Sequence, residues 1–328
     1  MATTGADTYT TWKLETSYAS SVTGSAKSFG HDVKLSAQSA KNNIQLQYGL
    51  GNQEATTHVA GLYGGSFSLD YTLGDPWMFA YITGNNASTT GLGPYTHTFL
   101  NTASSLPETT YSKTMKSIAV EHGVDLSTDV VTTFKGCVMK SLSMDMVVGD
   151  PVKCKNDFDY ATEALTTSVS SNVNSTDDAY TFAYASFEFP TDTTISNVQS
   201  LNLTINRNAE LKGSLGNRLP QFFLTKKSDY TLKATLPVEN STLLEYLYGT
   251  TSLTAPAQKL TEPAGLKIVL DNELSSTNQR QITLEFVGAL VDERASPADV
   301  NEMKTQDLSF IARQWKVAKA INNQPSQP

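Results

Sequence analysis

The stretch from Val198 to Gly249 repeats the pattern of the stretch from Val33 to Gly84. Each begins with a short alternating run, Val33 and Leu35 in one, Leu201 and Leu203 in the other. Each then enters a polar, Asn-rich segment with a Gly-Asn turn, Gly51-Asn52 and Gly216-Asn217. A second alternating run follows, in which Phe67, Leu69, Tyr71 and Leu73 answer Tyr230, Leu232, Ala234 and Leu236. Apolar residues at a period of two mark strands with one buried face. Both blocks close on helix-compatible residues ending Tyr-x-x-Gly, Tyr81 to Gly84 and Tyr246 to Gly249. The numbering offset drifts only from 168 (Leu35 to Leu203) to 163 (Leu69 to Leu232), as loops drift in a duplicated domain. The alternative is two β-rich segments alike by chance. A chain of 328 residues is long enough for two cores.

The rest of the chain divides around these blocks. Residues 1–30 are rich in Thr, Ser, Gly and Ala. They read as an N-terminal arm with Trp12 and Tyr18 as docking residues, or as an edge strand of a first domain over 31–165. Within that domain strands are expected at Tyr95–Leu100 and Lys116–Glu121. Another runs through Leu142, Met144, Met146 and Val148, turning at Gly149-Asp150-Pro151. That turn sets Cys154 opposite Asp145 or Met146 and leaves Cys137 about 27 Å away, beyond the ~7 Å reach of a disulfide. Residues 166–178, TTSVSSNVNSTDD, form a linker. The second domain, 179–295, opens on a strand through Tyr180, Phe182 and Tyr184. It carries a helix Thr242–Tyr248 with Asn240 and Ser241 at the N-cap and Gly249 past the end. Strands through Leu266, Ile268 and Leu270, and through Ile282, Leu284 and Phe286, complete it. Residues 296–328 form a C-terminal arm. Leu308, Ile311, Trp315 and Ala318 suit a helix, whereas Ile311, Arg313, Trp315 and Val317 suit a strand. The all-strand pattern before them favours an extended packing arm.

The sequence carries no catalytic or metal-binding signature. His31, His58, His97 and His122 have no ligand spacing, and there is neither a Cys-x-x-Cys nor a Gly-x-Ser-x-Gly. Gly49-Leu50-Gly51 lacks the third glycine of a dinucleotide fingerprint and reads as a turn. Asp157 and Asp159 share a strand face, either as a cation edge or as a solvated strand end. The start of the chain shows no secretory signal, and no apolar run approaches the ~20 residues of a membrane span. A cytoplasmic origin and two free thiols follow as expectations. The net charge of −8 opposes a surface that grips phosphate. No catalytic site, cofactor or metal is expected, which leaves a building block.

The order of these features resembles the tail tube proteins of tailed bacteriophages and archaeal viruses, in the longer form with two fused tube domains. Glu15-Thr16-Ser17-Tyr18, Val33–Leu35 and Leu201–Ile205 carry the resemblance. So do Phe134-Lys135-Gly136 leading into Ser141-Leu142-Ser143-Met144, and Arg280 to Phe286. It spans most of residues 10–295. The resemblance implies a mainly β chain of two tandem tube-type sandwich or barrel domains, each with a short helix. It implies inner sheets joined side by side into a ring, a homotrimer with pseudo-sixfold symmetry for a fused pair, and rings stacked into a genome conduit. Its partners would be further copies, a tape measure, a tail tip or baseplate, a terminator and, in some tails, a sheath. Double-stranded DNA would pass without specific binding, no membrane would be involved, and the protein would reside in the virion tail after assembly in host cytoplasm. The loops Ser39–Ala60 and Arg207–Phe222 would touch the neighbouring ring, making Asn42, Asn43, Gln45, Asn52, Gln53, Arg207, Lys212 and Arg218 inter-ring candidates. Trp12, Tyr18 and Trp315 would dock the arms. Competing readings are the inner tube of a contractile injection device, a decoration protein, a tail-tip hub, an adhesin or a β-rich enzyme.

Overall fold

The computed structural model describes residues 8–51, 53–101, 116–124, 129–167, 173, 175, 177–237, 242–251, 255–258, 260, 265–272, 278–295 and 305–325. Strands dominate. The first half contains β1 (Thr8–Glu15), β2 (Val22–Lys27), β3 (His31–Lys41), β4 (Ile44–Tyr48), β5 (Ala55–Ala60) and β6 (Gly64–Thr72), then helix α1 (Met78–Thr83). It continues with β7 (Ser88–Thr90), β8 (Tyr95–Asn101), β9 (Ile118–Val124), β10 (Val130–Val147), β11 (Lys153–Tyr160) and β12 (Thr162–Thr166). The second half contains β13 (Ala185–Glu188), β14 (Ser200–Asn206), β15 (Glu210–Lys212), β16 (Phe222–Leu224) and β17 (Asp229–Pro237), then helix α2 (Thr242–Tyr248). It ends with β18 (Leu266–Asp271), β19 (Gln281–Val287), β20 (Leu290–Ala295), β21 (Thr305–Ala312) and β22 (Gln314–Asn322).

An inner antiparallel sheet runs β3-β6-β11-β10-β14-β17-β21-β20. Its registers set like faces together: Leu35 opposite Leu69, Met144 opposite Leu203, and Leu203 opposite Leu232. One face therefore gathers Leu69, Met144, Leu203, Leu232 and Phe310 into the core. The other face is polar. Over the buried face lie two outer runs of strands, β2-β1-β9-β10-β12 and β13-β18-β19-β22-β8-β7. The strands β8 and β7 come from the first half but extend the second half's sheet, because β8 pairs β22 from Asn101–Val317 to Tyr95–Asn322.

Strand β10 belongs to both layers. It pairs β12 up to Lys135 and β9 up to Cys137; from Val138 it pairs β11 and from Ser141 β14. It bends at Gly136, where φ is 66° and an added Cβ would come within 2.9 Å of the Ala161 methyl, so only glycine turns the strand there. Gly288, also at φ 66°, separates β19 from β20. Both helices end in a left-handed glycine, Gly84 and Gly249. The buried side chains form one connected core, and Phe79 of α1 meets Trp315 of β22 at 6.4 Å.

Several expectations change. Residues 8–27 are not an arm, nor is β1 an edge strand: β1 lies between β2 and β9, with Trp12 buried, and residues 1–7 lie outside the described residues. Residues 305–322 are extended but packed into the sheets, with β21 inside the inner sheet and β22 between β19 and β8. Phe182–Tyr184 is a 3-10 turn rather than a strand, and β13 begins after it. Cys154 lies opposite Met144, one residue from Asp145 and two from Met146, because the turn begins after Val147. Both cysteines are free and buried. Asn240, Ser241, Asn52 and much of 166–178 lie outside the described residues.

Candidate assembly surfaces

Three surfaces stand out: the polar face of the inner sheet, its two edges, and two projecting hairpins. On the polar face, hydroxyls donate across strands to carboxylates. Ser68 and Ser141 Oγ reach Asp157 at 2.6 and 2.7 Å, Ser36 reaches Asp70 at 2.9 Å, and Thr235 reaches Asp307 at 2.7 Å. Asn202 donates to Asp145 across the β10–β14 pair. Asp159 accepts from Lys140 at 3.3 Å, yet burial pushes its carboxyl above the usual range. Asp70, Asp145, Asp157, Glu293 and Asp307 thus share this face with Lys34, Lys153, Lys155 and Lys233. The interleaving gives a nearly neutral, slightly acidic surface already supplied with hydrogen-bond donors. Among the described residues no cluster of three His, Cys, Asp or Glu is placed to hold a metal ion.

The edges are β3 and β20, each paired on one side only among the described residues. Their outward positions Lys34 and Ala295 are exposed.

The hairpin β4–β5 is a two-stranded sheet by itself. Its register sets Ile44 with Ala60 and Leu46 with His58, so Ile44, Leu46 and Tyr48 form one apolar face. That face is open, with Leu46 57% and Tyr48 62% exposed. A lone hairpin is marginal in water, and an uncovered apolar face marks a contact surface. The second hairpin, β15–β16, turns Leu211 and Phe223 inward, where Phe223 meets Tyr18 at 5.5 Å. Phe222 and Leu224 stay exposed.

The residues singled out in the sequence fall into distinct places. Asn43 closes the base of β4–β5, donating to Leu62 O at 2.6 Å while its carbonyl accepts from Gly61 N at 3.1 Å. Asn42 accepts from Arg218 Nη2 at 3.1 Å, and Arg218 also donates to Gly61 O, tying the second loop to the first. Lys212 pairs with Glu210 at 2.7 Å, as does Lys226. Gln45 and Gln53 are exposed. Arg207 does not project towards a neighbour. It is buried, and its Nη1 donates to Ile82 O at 2.8 Å and Thr83 O at 3.4 Å, capping the negative end of α1. Trp12 and Trp315 are likewise interior. Trp12 donates from Nε1 to Ser28 O at 2.9 Å, and Trp315 stacks on Phe286 at 5.8 Å. The apolar stripe Ile44-Leu46-Tyr48 is not among the residues singled out in the sequence, where it alternates with Gln45 and Gln47. Its alternation was the available signal.

Edge strands open on one side, hairpins with uncovered apolar faces and a hydrogen-bonded polar sheet face are features of a structural protein that assembles with others. A family model described as phage tail tube protein matches residues 5–312, and the chain belongs to that family. It is a structural component of the virion tail. No curated protein matches the chain. No helix among the described residues is long and apolar enough to cross a membrane.

Proposed function

We propose that the chain is a tandem duplication whose three copies close into a pseudo-sixfold ring, and that these rings stack into the conduit for genome delivery. The observation that carries this is the order of the inner sheet. The run β3-β6-β11-β10 is followed by β14-β17-β21-β20, and each strand of the second run holds the place of its counterpart in the first. The junction β10–β14 is then a ring contact made inside one chain. The remaining edges, β20 and β3, are the counterparts of those two strands, so β20 of one copy pairs with β3 of the next. An unpaired edge is an aggregation hazard, and ring closure removes it.

The internal junction supplies the register. Met144 faces Leu203 and Asp145 faces Asn202. Counterparts traced through β6, β11, β17 and β21 place Arg294 opposite Leu35 and Ala295 opposite Lys34 of the next copy. Three copies with eight inner strands each give a circumference of about 115 Å and a bore near 37 Å before tilt. A duplex passes through such a bore. The polar face lines it, and carboxylates interleaved with lysines prevent the counterion-release affinity that would slow the passage of phosphate. The hairpin faces Ile44-Leu46-Tyr48 and Phe222-Leu224 meet the adjacent ring. Tape measure, tip, terminator and sheath proteins bind the finished ring ends or outer wall.

The test combines negative-stain imaging of concentrated protein with the double variant Lys34→Cys/Ala295→Cys. Directly opposed residues of an antiparallel pair lie within disulfide reach. Hollow rings or tubes and a covalent trimer on oxidation are expected. Solid, closed particles and a persistently monomeric double variant would refute the ring.

A further inference from the structure

The inner sheet crosses from the first half to the second at β10–β14, and the polar side chains that meet there have counterparts on the two outer edges. At the crossing, Ser143 lies opposite Thr204 and Asp145 opposite Asn202. The two hydroxyls are 3.4 Å apart, and the Asn202 amide donates to the Asp145 carboxylate. One strand thus brings an acceptor and the other a donor. Registers across the sheet identify the counterparts. The row Lys34-Asp70-Lys155-Ser143 crosses β3, β6, β11 and β10. It is answered by Asn202-Lys233-Ser309-Glu293 across β14, β17, β21 and β20. Glu293 and Ala295 of β20 therefore hold the places of Ser143 and Asp145, while Lys34 and Ser36 of β3 hold those of Asn202 and Thr204. The carboxylate has moved two residues along its strand, and the donor has become a lysine, long enough to follow it.

Both members of this displaced pair are open. Lys34 and Glu293 are exposed, and neither has an ion-pair partner among the described residues. Around Lys34 on its own chain stand Asp32, two residues back, and Asp70, which already accepts from Ser36 Oγ at 2.9 Å. Beside Glu293 stands Ser309 on β21 and, beyond it, Lys233 on β17. The apolar side of the edge is unfinished too. Leu35 is half-buried, whereas its counterpart Leu203, covered by Met144 across the internal crossing, is 2% exposed. We propose that Lys34 of one copy pairs with Glu293 of the adjacent copy, diagonally across the β20–β3 contact on the face that lines the bore. Diagonal neighbours of an antiparallel pair lie about 7–8 Å apart, within reach of long side chains. Three contacts of the ring, inside the chains, are then closed by uncharged donors, and three, between chains, by an ion pair. Only the second kind yields to salt, which screens exposed charges beyond about 10 Å at 0.1 M. This inference rests on the ring reading above.

The experiment is a double-mutant cycle on the full chain: wild type, Lys34→Gln, Glu293→Gln and both together. Light scattering with negative-stain imaging gives the protein concentration at which rings and tubes appear, at low and at high salt. Each single substitution is expected to raise that concentration about three- to fivefold at low salt, equivalent to about 0.6–1 kcal/mol. The double variant should assemble at the same concentration as the singles and respond less to salt than the wild type. Urea midpoints of the isolated chains should not change, because each residue's partner belongs to another copy. Hollow wild-type particles, with both singles assembling like wild type, overturn this inference and leave the ring standing. So does an additive double variant, displaced about tenfold or more, since the two residues then act separately. A urea midpoint that falls in step with assembly places the effect inside one chain and also overturns it. Solid wild-type particles without a bore remove the ring and this inference with it.

Discussion

Phe189 meets the ring of Tyr246 edge-on at 5.0 Å and 70°, the contact that Trp12 makes with Tyr81 at 5.2 Å and 74°. In both places an aromatic presses on the tyrosine of the Tyr-x-x-Gly that ends a short helix, Trp12 from within β1 and Phe189 from just after β13. The two sites differ in cover. Tyr81 is 1% exposed with Trp12 against its ring, whereas Tyr246 remains half-buried and lines a groove of about 300 Å³.

That difference sets the cost of truncation in the isolated chain. Removing a fully buried aromatic costs about 3–5 kcal/mol, and a partly exposed one proportionally less. Tyr81→Ala is expected to destabilise by about 3–5 kcal/mol and Tyr246→Ala by about half as much, read from urea denaturation. Equal losses at the two sites would mean that α2 is as well covered as α1.

The strand pattern was legible because every inner strand has one wet face. Phe67, Leu69 and Tyr71 alternate in sequence and all point inward from β6, and Leu69 faces Leu35 as Leu232 faces Leu203. Neither terminal segment could be placed, for different reasons. Trp12 sits among threonines whose hydroxyls are themselves buried, such as Thr10 and Thr11, so β1 shows no polar face in the sequence. Strand β22 carries Trp315, Ala318 and Ala320 inward across a bulge opposite Glu285–Phe286, which breaks the period of two. Arg207 looked like loop charge because its partners are backbone carbonyls of α1, 125 and 124 residues away in sequence.

Arg207 supplies a test of interior against interface. Stranding the last carbonyls of α1 without a cationic donor and leaving a cavity costs about 3 kcal/mol. Arg207→Ala should lower the stability of the isolated chain by about that amount. Arg218→Ala, which breaks exposed bonds to Asn42 and Gly61, should cost under about 1 kcal/mol. A negligible effect of Arg207→Ala on the monomer would return that residue to the interface.

His97 makes stability depend on pH. It is buried between Thr89 Oγ1 at Nδ1 and Asn322 Oδ1 at Nε2, both at 2.9 Å. Burial holds its pKa below 6.5, with the Asn322 bond partly opposing. The unfolded chain therefore takes up this proton first as pH falls. Stability from neutral His97 is complete above about 6.5 and drains away below it. Asp75 acts in the opposite sense, since burial and then Asp177 raise its pKa and protonation favours the fold. Between pH 7.5 and 5.5 the wild type should lose stability relative to His97→Gln in urea titrations. Parallel pH dependence of the two proteins would remove His97 as the cause.

Leu46 separates folding from assembly. Its side chain is 57% exposed on a hairpin that packs against nothing else in the described chain on that face, so a charge there costs the monomer little. Surface substitutions of this kind usually stay within about 0.5 kcal/mol. In a stacked tube the same face is covered, and an unpaired carboxylate trapped against an apolar neighbour costs several kcal/mol per contact, repeated around every ring. Leu46→Asp should therefore leave the melting temperature of the monomer unchanged, still permit single rings cross-linked through Lys34→Cys/Ala295→Cys, and abolish their growth into tubes. Tubes of normal length from Leu46→Asp would show that the hairpin face points away from the neighbouring ring.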